Sequence, residues 1–234
     1  MLGRFLEVAL VADDPGSSWS QLQQLGFAEA TSGDIWTHPY GVVACEGLAI
    51  GLHARGEEAL SLIFVRPQVA ALERDLSARF IEVETVRLGS DEFNELGVRE
   101  PGGTLLRVIE ARTFSPPAEL PVRTALGRFH SISLPCADLA EAQGFWERLG
   151  MEVLAGNAPW SSIAVAGLPI AYHDATSFKQ PALIFHGEGA LDDAALHAAG
   201  ATIGRPVPAW RAHRHRLLRN VEGIAMILLG PGSD

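Results

Sequence analysis

Carboxylate and imidazole side chains occur at single positions within strand-like apolar runs. Glu7 lies inside the run 5–11, and His53 ends the run 47–53. Neighbouring side chains of a strand point to opposite faces, so Glu7 and His53 are expected on the faces that do not pack under a helix. Each group can accept a proton from a ligand near neutral pH. Glu7 and His53 are therefore our candidate catalytic residues.

Further histidines lie on strands in the second half of the chain. His173 repeats His53 at an offset of 120 (173 − 53), and His186 ends the run 182–186. Both are candidate ligand-binding residues, and a solvated histidine at a strand end is the simpler alternative. His130, Ile132 and Leu134 are spaced two residues apart, so all three are expected on the same face of their strand. A one-residue step moves a side chain to the other face, so we expect His130 under a helix.

Aromatic side chains cluster near the same strands. Trp36, His38 and Tyr40 lie on the predicted middle strands, and Trp160 lies in the matching part of the second half. Aromatic rings commonly line pockets for flat or apolar ligands, so Trp36 and Trp160 are candidate substrate-binding residues. The sequence contains no G-x-S-x-G, P-loop, H-E-x-x-H or paired C-x-x-C motif.

These residues lie on a chain whose two halves repeat each other. Residues 4–26 align with residues 128–150 without a gap, at an offset of 124 (128 − 4). In both segments a strand leads to an aspartate, a helix follows, and a glycine ends the helix. Further runs complete two units per half, each of one strand, one helix and three strands. A single open four-stranded sheet cannot bury its apolar face, so these units are expected to pack in pairs.

A stretch with three prolines and no periodicity separates the two halves. It predicts a first domain at residues 1–111, a linker at residues 112–127 and a second domain at residues 128–234.

Composition limits the classes of partner. The 234 residues carry a formal net charge of −10, which disfavours a nucleic-acid backbone as partner. Two cysteines are too few for a disulfide framework and favour a reducing, cytoplasmic environment. No apolar run in the sequence is long enough to cross a bilayer, so no membrane partner is expected.

Two motifs resemble the vicinal oxygen chelate superfamily, which includes glyoxalases, bleomycin-resistance proteins and extradiol dioxygenases. Residues 129–139 with 145–150 are similar to the opening strand and helix of that family, and residues 100–104 are similar to its Asp-Pro-x-Gly-Asn hairpin. The resemblance implies an α+β fold in which four βαβββ modules pair into two cup-shaped mixed sheets.

The resemblance also implies where metal ligands stand, on the first and last strands of each module. These positions fall on Glu7, Gly51, Ser61 and Arg107 in the first half, and on Ser131, Ala171, Ala182 and Ile227 in the second. A divalent cation requires several anionic or imidazole donors, so we predict no metal ligand and no cofactor.

The same positions imply a charge pair in the first half. Glu7 and Arg107 are expected to approach each other closely enough for a salt bridge. Such a pair either fills the vacated site, or leaves Arg107 to bind an anionic ligand while Glu7, assisted by His53, acts as a general base. The equivalent positions Ser61 and Ser131 are candidate substrate-binding residues.

Three hypotheses of function remain. The first is an acid–base enzyme of lyase, isomerase or dioxygenase type that lacks the metal of the family. The second is a non-catalytic protein that sequesters a drug or metabolite. The third is an iron, manganese, zinc or nickel enzyme with His130, His173 and His186 as displaced ligands. Each has a small molecule as partner, and the resemblance allows a homodimer.

Overall fold

The computed structural model describes residues 1–30, 36–89, 94–110, 119–153, 161–165, 168–187, 193–210 and 214–230. Within these residues the chain forms two eight-stranded mixed sheets and four α-helices. The predicted α+β class and the arrangement of paired modules in two sheets are confirmed.

The first sheet takes its strands from the first half of the chain. They are β1 (Arg4–Val11), β2 (Ala28–Glu29), β3 (Tyr40–Cys45), β4 (Leu48–His53), β5 (Leu60–Arg66), β6 (Thr85–Arg87), β7 (Glu95–Arg99) and β8 (Leu105–Glu110). Their order is β2-β3-β4-β1-β5-β8-β7-β6, with β1 and β5 adjacent and antiparallel at the centre. The β1–β4 and β5–β8 pairs are parallel.

The second sheet repeats this topology. Its strands are β9 (Arg128–Cys136), β10 (Glu152–Val153), β11 (Ser161–Val165), β12 (Leu168–Asp174), β13 (Ala182–His186), β14 (Thr202–Ile203), β15 (His215–Arg219) and β16 (Ala225–Leu229). Their order is β10-β11-β12-β9-β13-β16-β15-β14, which matches the first sheet strand for strand.

Each module contributes one helix to the side of its sheet that faces the core. The helices are α1 (Pro15–Gln24), α2 (Val69–Ser77), α3 (Leu139–Arg148) and α4 (Asp193–Ala198), and a 3₁₀ turn spans Pro208–Trp210. The repeated aspartates cap the helices as expected. Asp14 accepts hydrogen bonds from the first amides of α1, and Asp138 does the same for α3. We call the opposite face of the first sheet the first cup, and that of the second sheet the second cup.

Strands β1 and β9 each contain a β-bulge, which changes the face to which the residues before it point. In the β1–β5 pair, Phe5 and Glu7 oppose consecutive residues, so Leu6 is extra. In the β9–β13 pair, His130 is the extra residue. Because a bulge shifts which residues face the core, Phe5 lies in the core together with Val8 and Leu10. His130 is exposed and does not lie under a helix, so that prediction was wrong.

The two halves share one apolar core and a buried polar contact. The indole Nε1–H of Trp146 donates to the Tyr172 hydroxyl over 2.6 Å, and this hydroxyl donates to Glu100 Oε2 over 3.0 Å. Glu100 belongs to the hairpin between β7 and β8, and its carboxylate also accepts the backbone N–H groups of Gly102 and Thr104. Burial raises the pKa values of Glu100 and Tyr172.

Part of the predicted linker, residues 112–118, lies outside the described residues, as does Trp160. No helix in the described ranges is long and apolar enough to cross a membrane.

Candidate functional site

A chain of three side chains crosses the first cup. The Nε2 atom of His53 lies 2.8 Å from Glu7 Oε1, and its Nδ1 atom lies 3.0 Å from His38 Nε2. Glu7 and His53 are buried, with exposed fractions of 1% and 2%, whereas His38 is only partly buried. The structure thus brings the two predicted catalytic residues together and adds His38 at the solvent end.

The partners in this chain assign the imidazole tautomers. Glu7 is a carboxylate acceptor, so His53 donates its Nε2–H to it and keeps a lone pair on Nδ1. That lone pair accepts the Nε2–H of His38. His38 is then left with a lone pair on Nδ1. Burial, and after it the charges of His53, Arg55 and Arg107, lower the pKa of His38, which favours its neutral form.

Neighbouring groups hold the chain in place. The Tyr40 hydroxyl donates a hydrogen bond to Glu7 Oε2, so both carboxylate oxygens are engaged. Tyr40 lies opposite His53 in the β3–β4 pair, which places the phenol beside the imidazole. The Trp36 ring packs edge-on against His53 at a centroid distance of 4.8 Å. The alternation of Trp36, His38 and Tyr40 was the sequence signal that could have assigned His38 and Tyr40 to the site.

Gly51 makes room for the Glu7 carboxylate. A Cβ atom at Gly51 would lie 2.3 Å from the Glu7 carboxyl carbon, which is far inside van der Waals contact. Gly51 occupies the last-strand ligand position that the resemblance implies. The absence of a side chain there is therefore required by the orientation of Glu7.

The chain ends at an open cavity of about 310 Å³ in the first cup. The cavity wall includes His38, His53, Trp36, Ser61 and Arg107, but Glu7 does not line it. A molecule in the cavity would therefore contact the imidazoles, with Glu7 behind His53. The catalytic role of Glu7 stays a prediction.

The expected salt bridge between Glu7 and Arg107 does not form. Glu7 pairs with Ile63 across β1 and β5, and Ile63 pairs with Arg107 across β5 and β8. Ile63 thus separates them, and two interstrand spacings amount to roughly 10 Å. Arg107 Nε instead donates to Glu95 Oε1 over 2.6 Å.

Glu95 is shared between two arginines. Its second oxygen accepts a hydrogen bond from Arg87 over 3.2 Å, and Arg87 also meets Glu57 over 2.6 Å. The guanidinium of Arg107 lies 5.7 Å from the centroid of the Trp36 ring. These contacts fix the Arg107 head group at the cavity wall.

The residues of the first cup do not fit the divalent metal that the fold family implies. Glu7 has both oxygens engaged, Gly51 has no side chain, Ser61 offers a neutral hydroxyl and Arg107 is a cation. A divalent ion needs several free anionic or imidazole donors and is repelled by a guanidinium. Among the described residues no cluster of three or more His, Cys, Asp or Glu side chains is arranged to hold a metal.

Apolar side chains pack into the part of the second cup that the structure describes. Ala171, Ala182 and Ile227, three of the ligand positions implied by the resemblance, belong to one buried cluster with Trp210, and Phe178 packs against it. This filling was not predicted from the sequence. One sequence signal existed, because Phe178 replaces Glu58 of the first half at an offset of 120 (178 − 58).

His173 is sealed beneath this cluster. Its exposed fraction is 2%, and its ring contacts Phe178 and Trp210 at centroid distances of 5.6 and 5.3 Å. Its Nδ1 lies 2.7 Å from the Ser133 hydroxyl and its Nε2 lies 2.9 Å from the Phe178 carbonyl. Burial lowers the pKa of His173 to about 4. His173 is thus a neutral buried residue, and none of the cavities lined by described residues includes it.

The three histidines of the displaced-ligand hypothesis do not meet. His173 pairs with Pro135 near the end of β9, whereas His186 pairs with Arg128 at its start. These ends are roughly 20 Å apart along a strand. The rings of His130 and His186 do lie close together, at 4.6 Å. The predicted site residue Ser131 is buried, and its hydroxyl lies 2.9 Å from His130 Nδ1.

Comparison with solved structures identifies the fold. The chain is similar to catechol 2,3-dioxygenase at 16% identity and a TM-score of 0.57, covering 98% of this chain and 88% of that one. It is similar to a Mn(II)-bound glyoxalase from Novosphingobium aromaticivorans at 13% identity and a TM-score of 0.60, covering 97% and 81%. Homoprotocatechuate 2,3-dioxygenase from Brevibacterium fuscum, in complex with 3,4-dihydroxyphenylacetate, gives 14% identity, a TM-score of 0.61 and coverage of 97% and 80%.

The chain therefore has the fold of the vicinal oxygen chelate superfamily, as its motifs predicted. No protein-family model and no curated protein matches the sequence. At these identities the structural likeness defines the fold, and a superfamily fold hosts many chemistries.

Proposed function

We propose that the first cup is an acid–base site that takes a proton from a small organic ligand without a metal at the family position. The observation that carries this proposal is the chain Glu7–His53–His38, which ends at the cavity. Enzymes strengthen a proton acceptor in this way, with a carboxylate that orients an imidazole and a partly buried base that reaches the ligand.

The proton path follows from the tautomers. His38 Nδ1 accepts the proton of the ligand, and the Nε2 proton of His38 passes to His53 Nδ1. The positive charge then rests on His53 beside the Glu7 carboxylate, where a close ion pair stabilises it. Tyr40 holds the second oxygen of Glu7, so the carboxylate stays aligned with His53.

Proton exchange provides the test. Protein treated with EDTA is incubated in D₂O with dihydroxyacetone, butanone and 2-oxobutanoate, and loss of the acidic C–H signals is followed by ¹H NMR. We expect exchange with at least one compound. His38→Gln and Glu7→Gln should each reduce its rate by about 10²- to 10⁴-fold. The matched control is His197→Gln, on the exposed side of α4, which should exchange at the rate of the unmodified protein.

Two outcomes would contradict the proposal. If the panel compounds bind without exchange, the first cup belongs to a binding protein. If exchange requires added Fe²⁺, Mn²⁺, Zn²⁺ or Ni²⁺, or if these ions raise the melting temperature of the protein, the cup holds a metal after all. Circular dichroism establishes that each variant is folded.

A further inference from the structure

Three donor groups at the first cup make no hydrogen bond to any described residue. They are the buried indole Nε1–H of Trp36, the hydroxyl of Ser61 and the terminal nitrogens of Arg107. Ser61 has an exposed fraction of 5%, and all three residues line the cavity. Because a buried donor without an acceptor is unfavourable, the Trp36 indole favours a ligand that supplies an acceptor, and the Ser61 hydroxyl and the Arg107 guanidinium are available to the same ligand.

The three donors lie around one part of the cavity. Ser61 is opposite Leu105 in the β5–β8 pair, and Arg107 follows Leu105 by two residues, so Ser61 and Arg107 are diagonal neighbours on the same face. The Arg107 guanidinium lies over the Trp36 ring. The Trp36 ring in turn lies 5.5 Å from the His38 ring, which places the proton acceptor beside these donors.

The charges around the cavity limit the ligand to a weak anion. The wall carries Arg55, Arg87 and Arg107 against Glu57, Glu58 and Glu95, so its formal charges balance. Balanced charge and donors that face one part of the cavity suit a planar group with no more than a single negative charge. A guanidinium edge matches the two oxygens of a carboxylate, whereas a phosphate dianion calls for more positive charge.

We propose that the first cup binds small carboxylates, with the carboxylate group held by Arg107, Ser61 and Trp36. This inference deepens the proposed function and depends on it only for the role of His38. With its carboxylate at Arg107, a short ligand has its remaining atoms beside the His38 imidazole.

Binding of benzoate tests the inference without any turnover, because benzoate has no acidic C–H. Isothermal titration calorimetry at pH 7.5 compares benzoate with benzamide, which has the same shape and no charge. We expect benzoate to bind at least about tenfold more tightly. Arg107→Met should weaken benzoate binding by about tenfold or more and leave benzamide nearly unchanged.

Two further variants keep the test decisive. Ser61→Ala removes one donor with little change of volume and should weaken benzoate binding by roughly three- to tenfold. Arg205→Met is the matched control, since it removes an exposed cation of the second half and should change the affinity by less than about threefold. Equal affinity for benzoate and benzamide, tighter binding of phenyl phosphate than of benzoate, or full benzoate affinity in both Arg107→Met and Ser61→Ala would overturn the inference.

Failure here is separable from failure of the proposed function. His38→Gln should lose proton exchange while it retains benzoate affinity within about threefold, since His38 does not hold the carboxylate. If benzoate does not bind and dihydroxyacetone or butanone still exchanges, the acid–base site stands and the carboxylate specificity is wrong.

Discussion

His38 sets the pH range in which the first cup can act as a base. Its pKa lies below the ordinary value of 6.5, so the neutral form is present at neutral pH and is lost only when the pH falls below that value. We expect kcat/KM for proton exchange to have an acid limb below pH 6.5. Removing a neighbouring cation by Arg55→Met should move this limb to higher pH.

The control for this profile is Arg205→Met, an exposed arginine of the second half. The assignment of His38 as the base would be wrong if Arg205→Met and Arg55→Met gave the same profile as the unmodified protein.

His173, in the second cup, makes the stability of the protein depend on pH. Its folded-state pKa of about 4 lies below the value of 6.5 for a free imidazole, so the unfolded chain binds the proton between these two pH values. The free energy of unfolding should therefore fall as the pH drops through this window, by roughly 2 kcal/mol between pH 7.5 and 5 from this residue alone. Urea unfolding at both pH values measures it.

Replacing His173 removes this titration. His173→Gln should be less stable at pH 7.5 yet show a smaller loss at pH 5, whereas His197→Gln, at an exposed position on α4, should keep the pH dependence of the unmodified protein. An unchanged pH dependence in His173→Gln would refute the account of a buried neutral imidazole. The comparison between variants cancels the contribution of Glu100, whose raised pKa acts in the other direction.

At the residue scale, the sequence correctly predicted that Glu7 and His53 lie together on the cup face. It did not predict the partner of Arg107, because that depends on the register of three strands. Ile63 stands between Glu7 and Arg107, and Glu95 approaches Arg107 from β7. Alternation along one strand carries no information about which residue of a neighbouring strand lies opposite.

At the scale of elements, strand β4 has room only for a glycine at position 51, beside the Glu7 carboxylate. Gly51→Ala would place a methyl group within 2.3 Å of that carboxylate and displace it from His53. We expect a loss of about 1–3 kcal/mol in the free energy of unfolding and at least a tenfold loss in proton exchange. Chemical denaturation and the D₂O assay measure the two effects.

Gly41→Ala is the matched substitution on the adjacent strand β3. A Cβ atom there would meet only the Trp19 side chain, at an ordinary distance of 3.6 Å. The free energy of unfolding and the rate of proton exchange should stay near the values of the unmodified protein. Equal effects of Gly51→Ala and Gly41→Ala would argue against a specific role of Gly51.

Repetition in the sequence predicted the order of elements but not their detail. Matching aspartates and glycines located α1 and α3 because helix caps depend on local chemistry. The bulges at Leu6 and His130 could not be seen, since one extra residue leaves the apolar pattern nearly intact. The filling of the second cup depends on Trp210, which reaches it through a 3₁₀ turn that periodicity did not indicate.

At the scale of the whole molecule, the contact of Trp146, Tyr172 and Glu100 couples the two halves. Tyr172→Phe leaves the Trp146 N–H without its acceptor and removes one donor from Glu100. We expect a loss of about 1–3 kcal/mol in the free energy of unfolding, measured by urea denaturation, with the rate of proton exchange unchanged.

The other tyrosine of the chain supplies the comparison. Tyr40→Phe removes the hydrogen bond to Glu7 in the first cup and should lower the rate of proton exchange instead. If Tyr40→Phe and Tyr172→Phe affected stability and proton exchange to the same extent, our assignment of Tyr40 to the first cup and of Tyr172 to the contact between the halves would be wrong.

The apolar filling of the second cup also has a consequence for amide hydrogen exchange. The strands β12, β13 and β16 are covered on both faces, by the common core and by the cluster around Trp210. Their counterparts β4, β5 and β8 border an open cavity with polar walls. Local opening requires less free energy where fewer apolar contacts are lost, so the amides of the first sheet should exchange with deuterium sooner. Two sheets of the same topology would then differ in their motions, and the more mobile sheet would be the one for which we propose a ligand.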